Sequence, residues 1–488
     1  MPGNRWMLPI GWLAALAVVA CGPATGSPDS GDAADALDVE EAGEEFSWDA
    51  PPDRDTVDGS FYHPFEVLPS AAMTVPAGWQ LRRGIIHAHS VYSHDACDDE
   101  GFVDGLRNEE CLEQLRAAVC DTAQDFLFLT DHAAVFADHE FPDVLLYAPG
   151  DTLIERGGLP VANRIPCAAG RSVIVAAGTE TGTMPIGLEH HVGDTPAERD
   201  AAYGEVSAAG VQALKDAGAL ALVHHTEEWD VALLQSLGLD GIEIYNLHHN
   251  LEARMGDAVN MVIDLQTRPW RVPIPELGLA ALLAENEVDL ASWSTLLAGR
   301  RTVGILATDV HRNVFDGTSP DGERIDSYRR LMHWFANYLL LPPGEVDDLA
   351  LKEAIRRGRL YGSFDVFGYP VGFDFFAEAA GTRCELGDEL PAAPAPTLHL
   401  ALPAVHRLDP AGPQPAIRGR ILRAAAGGTW DEVAAGSDDL SYVVAAPGVY
   451  RAEVRITPEH LRPWLGLRAD LYVVERPWIY ANPIYVTP

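Results

Sequence analysis

The sequence predicts an α/β domain followed by a small C-terminal β-sandwich. Five apolar runs, each of strand length, end in a histidine, an aspartate or a glutamate. Continuous apolar runs are typical of parallel strands buried on both faces, and α/β barrels carry their chemistry at the carboxyl ends of such strands. Segments with helical spacing lie between or after these runs, among them CLEQLRAAVC and SYRRLMHWFANYLL. After the proline-rich PAAPAP, short alternating segments separated by turn residues predict the sandwich.

Composition divides the 488 residues into four segments. We expect a lipoprotein signal peptide in 1–20, an acidic tether in 21–60, the α/β domain in 61–388 and the sandwich in 389–488. The tether is rich in Ser, Gly, Ala, Pro, Asp and Glu. It cannot bury enough surface to offset its chain entropy, so we expect it to be disordered.

The N-terminus has the features of an exported, membrane-anchored lipoprotein. Arg5 precedes an apolar run from Trp6 to Ala20, which is shorter than the roughly 20 residues that a bilayer span requires. Cys21 follows small residues, as in the bacterial lipobox, whose cysteine is lipidated and becomes the first residue of the mature protein. The alternative is an ordinary secretory signal in which Cys21 is incidental. We expect an extracytoplasmic protein, and Gly22 favours the outer membrane if the source is Gram-negative.

The chain is strongly acidic, with a formal net charge of −38 at pH 7. Nucleic acid and anionic lipid would both be repelled by this charge, so we expect neither as a partner. The sequence leaves the oligomeric state open.

Four cysteines cluster after the first motif, and outside the cytoplasm they are free to pair. They are Cys97, Cys111, Cys120 and Cys167. Two disulfide bridges among these four are expected. Zinc held by cysteine is the rival interpretation, but the sequence contains no Cys-x-x-Cys pair.

The stretch from Leu81 to Asp95 contains the first candidate metal ligands. Alternate residues of one strand point to the same face, so His87 and His89 are expected to lie side by side as a metal clamp. A single His-x-His pair also occurs on solvated strands, but the other four runs repeat the pattern. They end at His132, Glu180, His224 with His225, and Asp309 with His311.

Imidazole and carboxylate ligands of this kind hold pairs of divalent ions in hydrolases. Such ions lower the pKa of a bridging water from about 16 toward 7 and clamp the oxygens of a phosphoryl group. The sequence has no serine elbow and no phosphate-binding glycine loop, which argues against covalent serine catalysis and nucleoside triphosphate binding.

Taken in order, the motifs HAHSVYSHD, TDH, GTE, EHHVG, VHH, GIEIYN and ATDVH resemble those of the PHP (polymerase and histidinol phosphatase) superfamily. The resemblance covers roughly residues 81–385. It implies a distorted (β/α)7 barrel with two or three divalent metal ions, Zn, Mn or Fe, at the carboxyl ends of its strands. It also implies phosphoester hydrolysis. The ending RPWIYANPIYV is similar to that of the secreted branch, which joins this barrel to a small β-domain.

The resemblance implies three metal positions. The first would be held by His87, His89, Glu180 and Asp309. Glu180 would bridge to the second, which His224 and either His190 or His191 would complete; we favour His191 because Val192-Gly193 follows it directly. The third would take His132 and His311 with either His94 or Asp95.

Three further residues are catalytic candidates. His225 is a candidate leaving-group acid, with a structural histidine as the alternative. Asp131 is a candidate for orienting the imidazole of His132, with a structural role as the alternative. Arg312 is a candidate for steadying a phosphate, with a solvated arginine as the alternative.

Four polar residues near the motifs have less direct roles. Glu243 and Asn246 are expected to brace the mouth of the domain rather than to contact metal. His248 and His249 are candidates for substrate contact.

We therefore expect an extracytoplasmic hydrolase that cleaves a small-molecule phosphomonoester or phosphodiester with a metal-activated hydroxide. The first alternative is a carboxylic or carbamic ester hydrolase with the same metal site, because a metal hydroxide also attacks a planar carbonyl. The second is a non-enzymatic surface binding module on the same barrel. A degenerate barrel would have lost ligands, whereas every position has a candidate here.

Replacing Cys21 tests the lipoprotein interpretation. We expect Cys21→Ala to remain unprocessed and to lose its lipid label, because no thiol remains to be acylated. Palmitate labelling and membrane fractionation measure both effects. A variant that is processed and membrane-bound like the wild type would show that Cys21 is incidental.

Overall fold

The computed structural model describes residues 59–268, 271–315 and 317–488. The predicted signal peptide and nearly all of the predicted tether lie outside these residues. Within them, no helix is both long enough and apolar enough to cross a membrane.

Strands are distributed along the whole described chain. In chain order they are β1 Gln80–Ile86, β2 Phe102–Val103, β3 Leu106–Arg107, β4 Phe126–Phe128, β5 Thr152–Arg156, β6 Leu159–Pro166, β7 Ser172–Gly178, β8 Met184–Leu188, β9 Leu220–Leu222, β10 Gly241–Asn246, β11 Val303–Ala307, β12 Ala336–Leu341, β13 Leu360–Ser363, β14 Pro370–Val371, β15 Asp374–Ala379, β16 Thr382–Cys384, β17 Glu389–Pro391, β18 Thr397–Ala401, β19 Ala404–Val405, β20 Ala416–Ala424, β21 Trp430–Gly436, β22 Leu440–Val443, β23 Gly448–Thr457, β24 Arg476–Ala481 and β25 Ile484–Thr487.

Most helices lie in the first three quarters of the described chain. They are α1 Glu109–Asp121, α2 Ala133–Phe136, α3 Pro196–Tyr203, α4 Ala208–Asp216, α5 Val231–Leu237, α6 Leu247–Ala253, α7 Met255–Thr267, α8 Glu287–Leu297, α9 Tyr328–Trp334, α10 Asp348–Arg357 and α11 Ala469–Tyr472. Several begin at a side chain that accepts a hydrogen bond from the first turn, each such cap contributing about 1 kcal/mol. These N-caps include Asn108, Thr195, Ser207, Asp230 and Asp347.

A large mixed sheet of fifteen strands organises the molecule, as expected for an α/β domain. At its centre β1, β4 and β7 pair in parallel. Their residues are almost all buried, which matches the continuous apolar runs of the sequence. On one side β12 adds antiparallel to β1, and on the other β6 adds antiparallel to β7.

Backbone hydrogen bonds continue from this sheet to a second parallel pair, β10 and β11. The strand β9 bonds to β10 through Val223 N to Gly241 O at 3.3 Å and Asp240 N to Ala221 O at 2.7 Å. Just beyond β11, Asp309 N donates to His87 O at 3.0 Å. These bonds bring the carboxyl ends of β1, β9, β10 and β11 to one place.

The segment SYRRLMHWFANYLL is a helix followed by a strand, so the prediction of one continuous helix is wrong. The helix α9 ends at Trp334, Phe335 is extended with φ −158°, and β12 begins at Ala336. All six residues of β12 are buried. A fully buried apolar run has no polar face, so periodicity cannot distinguish a helix from a strand there.

The C-terminal strands pair with one another and with the rest of the molecule. β15, β16, β18 and β22 form a four-stranded sheet, whereas β20, β21, β23, β24 and β25 belong to the large sheet. The connection runs through β13 and β24, where Tyr361 pairs with Ala481. The described residues belong to one compact unit, and the domain boundary near residue 388 stays a prediction.

Two disulfides hold helix α1 at both of its ends, which confirms the prediction of two bridges among the four cysteines. Cys97 pairs with Cys111 in the first turn, and Cys120 near the last turn pairs with Cys167. Cys384 is a free cysteine. The first bridge also holds the loop that contains Asp95, two residues before Cys97.

Two buried histidines make stability depend on pH. Nε2 of His333 donates to Pro64 O at 2.9 Å, and Nε2 of His460 donates to Phe367 O at 3.0 Å. Burial lowers the pKa of each imidazole to about 4. The pKa of a histidine in the unfolded chain is about 6.5. Between about pH 4 and pH 6.5 the unfolded chain therefore binds protons that the folded chain does not.

We therefore expect the free energy of unfolding to fall as pH is lowered from 6.5 to 4, by up to about 1.4 kcal/mol per pH unit for each histidine. His333→Gln keeps a neutral donor. It should reduce this slope by up to about 1.4 kcal/mol per pH unit, which corresponds to one proton. Urea unfolding of the chelator-treated protein between pH 7 and pH 4 measures it. His399→Gln is the control, since His399 is a partly exposed histidine on β18. Equal slopes for His333→Gln and wild type would contradict the expectation.

Candidate metal centre

The candidate ligands follow the ends of strands that meet at one edge of the molecule. His87 and His89 follow β1, His132 follows β4 and Glu180 follows β7. The other strands contribute the remaining side chains, namely His224 and His225 after β9 and Asp309 and His311 after β11. Each strand is buried and fixed, so these side chains are held on rigid backbone.

The first group consists of His87, His89, Glu180 and Asp309, each offering one ligand atom within 4.8 Å of the others. Nε2 of His87 lies 3.1 Å from Nε2 of His89, 2.6 Å from Oε2 of Glu180 and 3.0 Å from Oδ1 of Asp309. Ligands at about 2.1 Å from a tetrahedral ion are spaced about 3.4 Å apart. The spacing of this group is therefore close to that of a metal coordination shell.

The second group shares Glu180 and adds the two histidines after β9. Oε1 of Glu180 lies 2.9 Å from Nδ1 of His224 and 3.1 Å from Nε2 of His225. The other oxygen, Oε2, faces the first group, so the two oxygens of one carboxylate point to different groups. This is the geometry that a bridging carboxylate requires.

The third group consists of His89, Asp95, His132 and His311. Oδ2 of Asp95 lies 3.1 Å from Nε2 of His132 and 3.3 Å from Nε2 of His311. His94 was the alternative to Asp95, but its side chain is 45% exposed and its Nδ1 lies 3.9 Å from Asp95 Oδ1. The structure thus brings Asp95, rather than His94, to the third group.

The negative charges of the carboxylates in these groups favour a bound cation. Burial lowers the pKa of His87, but the carboxylates of Asp309 and Glu180 raise it well above its usual range. Burial likewise opposes the charged form of His89 and His225, yet hydrogen bonds to carboxylates raise their pKa to about 10 and about 12. The carboxylates therefore draw positive charge into a buried site, where protons and metal ions compete for the same lone pairs.

Two side chains show directly that the donor set fits a metal. The buried carboxylate oxygens of Asp309 and the ring nitrogens of His224 have ion-pair contacts with neighbouring ligands but no hydrogen bond of normal geometry. A buried carboxylate that lacks such bonds is costly unless a cation compensates it. A mixed imidazole and carboxylate set is one that Zn, Mn and Fe accept.

The backbone is strained at three of these residues. His87, His225 and Asp309 have φ values of 73°, 43° and 50°, in the left-handed region that residues with a side chain rarely adopt. Each such residue costs about 1–3 kcal/mol and persists only where the surroundings fix it. The strain occurs where the chain leaves a strand and turns its side chain toward the groups.

His191 is placed away from the second group, which corrects the expectation that it would complete it. Its Nδ1 lies 2.8 Å from Tyr203 Oη and its Nε2 lies 2.7 Å from His139 O, so both nitrogens are occupied. His190 is exposed. The motif EHHVG follows β8, which runs antiparallel to β7, and the ring of His191 packs on Phe136 and Phe141 rather than on the second group. His225 takes the place expected for His191.

The sequence contained a signal for this arrangement. Only five residues, Thr179–Thr183, separate β7 from β8. A parallel crossover needs about a dozen residues or more, so such a short link requires a hairpin and an antiparallel β8.

The remaining catalytic candidates also lie elsewhere than expected. Asp131 accepts from Ser90 N at 2.5 Å and Ser90 Oγ at 2.8 Å, so it holds the turn after His89 instead of orienting His132. Arg312 faces Asp98, with Nη2 at 3.7 Å from Oδ2. His225 sits among the ligands, with its Nε2 toward Glu180 rather than available as a leaving-group acid.

Glu227 is not among the residues that the sequence motifs indicate, yet it links the second group to an open cavity. Its Oε1 lies 3.5 Å from Nδ1 of His225 and 3.1 Å from Nδ1 of His249. His249 lines a cavity of about 640 Å³ together with Asn250, Arg254 and other residues. His248 Nδ1 lies 3.6 Å from Asp309 Oδ2, with the side chain 42% exposed. There is room for a small molecule beside the second group.

Comparison with known proteins gives weak likenesses. No family model matches the sequence, and no curated protein does. A solved structure of PsfC from Pseudomonas syringae has 14% identity and a TM-score of 0.29, covering 56% of this chain and 88% of PsfC. A two-domain protein from Bacteroides vulgatus, containing a predicted PHP-like metal-dependent phosphoesterase, has 12% identity and a TM-score of 0.27, covering 86% of this chain and 99% of its own.

Removing the charge of Glu180 should disturb two groups at once. Glu180→Gln is nearly isosteric, so we expect the variant to fold, but it lacks the negative charge that would screen two neighbouring dications. Bound metal should fall by at least one ion and hydrolysis should collapse. Plasma mass spectrometry of the dialysed protein gives the metal content.

The comparison variant is His87→Ala, which removes one ligand of the first group only. If Glu180→Gln kept full metal content and near-normal turnover while His87→Ala lost both, Glu180 would not be a bridging residue.

Proposed function

We propose that this protein is a metal-dependent hydrolase that cleaves a phosphomonoester or phosphodiester with two or three bound divalent ions, Zn, Mn or Fe. The observation that carries the proposal is the convergence of three ligand groups, in which Glu180 and His89 each belong to two groups. Shared ligands are typical of hydrolases whose ions act together on one substrate.

The chain would hold the ions with the groups described above. Such ions supply a nucleophilic hydroxide near neutral pH and stabilise the oxygens of a transferring phosphoryl group. Glu180 and Asp309 would offset the positive charge while staying out of reach of the substrate, because both are buried. The exposed rings of His94 and His248 lie at the rim, where a substrate would meet them first.

We also infer the finer architecture and location. The hydrogen bonds that run from β1 through β4, β7, β8, β9, β10 and β11 and back to His87 support a distorted (β/α)7 barrel of PHP type. The C-terminal strands would be the small β-domain of the secreted branch. Two disulfides support an extracytoplasmic protein, because such bonds persist in oxidising compartments.

A panel of model substrates tests the reaction. The purified protein should hydrolyse an aryl phosphate or a bis-aryl phosphate, lose activity to a chelator, and regain it with Mn²⁺ or Zn²⁺. Hydrolysis of aryl esters alone would favour the carboxylic or carbamic ester alternative. Full metal content without any hydrolysis would favour the surface binding module.

A further inference from the structure

Glu243 is a buried carboxylate of β10 that lies behind the first two groups. Its side chain is fully buried, and no nearby lysine or arginine is described as its partner. Oε1 lies 2.5 Å from Nδ1 of His87. Oε2 accepts from the backbone N of His225 at 2.8 Å and from Nδ2 of Asn246 at 2.9 Å.

The contact with His87 determines which nitrogen carries the proton. A carboxylate oxygen accepts hydrogen bonds, so the proton of the neutral imidazole resides on Nδ1. The lone pair of Nε2 is then directed at the first group, where Glu180 and Asp309 lie. Fixing the tautomer and the ring orientation of a ligating histidine is the usual effect of such a carboxylate.

The contact with His225 supports a strained backbone. His225 has φ 43°, and its amide N–H is satisfied by Glu243. The left-handed turn directs the imidazole so that Nε2 lies 3.1 Å from Oε1 of Glu180. Without an acceptor at this point, the buried amide would be unpaired and the turn would lose what holds it.

We propose that Glu243 is a positioning residue that fixes ligands of the first and second metal groups together. The inference rests on the proposed function, because it assumes that these groups bind metal. Glu243 belongs to none of the ligand groups found among the described residues. It therefore acts through His87 and His225, beyond the bracing role that the sequence predicts.

Glutamine cannot replace this carboxylate although it has nearly the same shape. An amide has one acceptor and one donor end, whereas Glu243 faces donors at both oxygens. If the amide nitrogen faced His225, it would oppose an N–H and the Nδ2 of Asn246. If it faced His87, the proton would be forced onto Nε2, in the middle of the first group.

Metal affinity of the full-length protein tests the proposal. Chelator competition with Mn²⁺ and Zn²⁺ should give a 10- to 100-fold weaker affinity for Glu243→Gln, the range typical of such supporting carboxylates. The visible spectrum of the Co²⁺-loaded variant should also shift, because the ligand geometry changes. Glu243→Asp keeps the charge but has a shorter side chain. Its metal affinity should lie between those of Glu243→Gln and the wild type.

Glu453→Gln is the matched control. Glu453 is another buried carboxylate, which binds Arg420, Arg451 and Arg455 in the C-terminal part of the large sheet. The substitution Glu453→Gln should lower thermal stability and leave metal affinity within about threefold of wild type, because Glu453 contacts none of the candidate ligands.

The outcomes separate the two proposals. A wild-type protein that binds no divalent metal would overturn the proposed function. A metal-binding wild type with a folded Glu243→Gln of equal affinity would overturn only the role of Glu243. Equal losses in Glu453→Gln would do the same, because the effect would then be general destabilisation. If Glu243→Gln does not fold, Glu243→Asp decides, and wild-type affinity in that variant overturns the role.

Discussion

The buried carboxylates of Glu180 and Asp309 place negative charge inside the site, and the arrangement of the other side chains depends on that charge. Each lies among imidazoles, and the contacts of the Asp309 oxygens with them do not have the geometry of normal hydrogen bonds. Negative charge in such surroundings is stable only beside positive charge, so strand ends, histidines and supporting hydrogen bonds are all arranged around a place for cations. A proton can meet this need only in part, because a single proton cannot satisfy several converging lone pairs.

The backbone around the centre is held by hydrogen bonds from distant parts of the chain. Tyr328 Oη donates to His89 O at 3.0 Å and lies 3.2 Å from His311 O, which connects the first strand end to the last. Glu243 supports His225 in the same way. The strained turns are thus stabilised by residues that are more than fifteen positions away, so local sequence preference contributes little to them.

The sequence indicated which strand ends lie close together with candidate ligands, because an apolar run that ends in a histidine or a carboxylate is a local pattern. It failed where the answer depended on strand direction, since EHHVG looks like a ligand motif until β8 is known to be antiparallel. The role of Glu243 was also hidden, because only the folded chain brings it to His87. The joining of β24 to β13 likewise depends on pairing between distant segments, which the alternating pattern of either strand does not reveal.

The disulfide between Cys97 and Cys111 makes the position of Asp95, in the third group, depend on thiol oxidation. It fastens the chain just beyond Asp95 to helix α1, and Tyr328 Oη lies 3.7 Å from the Sγ of Cys97. In the reduced chain, this loop loses its covalent closure, and Asp95 is held only by non-covalent contacts such as the hydrogen bond from Ser93 Oγ to its Oδ1 at 2.6 Å. Protein prepared under reducing conditions and protein allowed to oxidise would therefore differ in how firmly a candidate ligand is held.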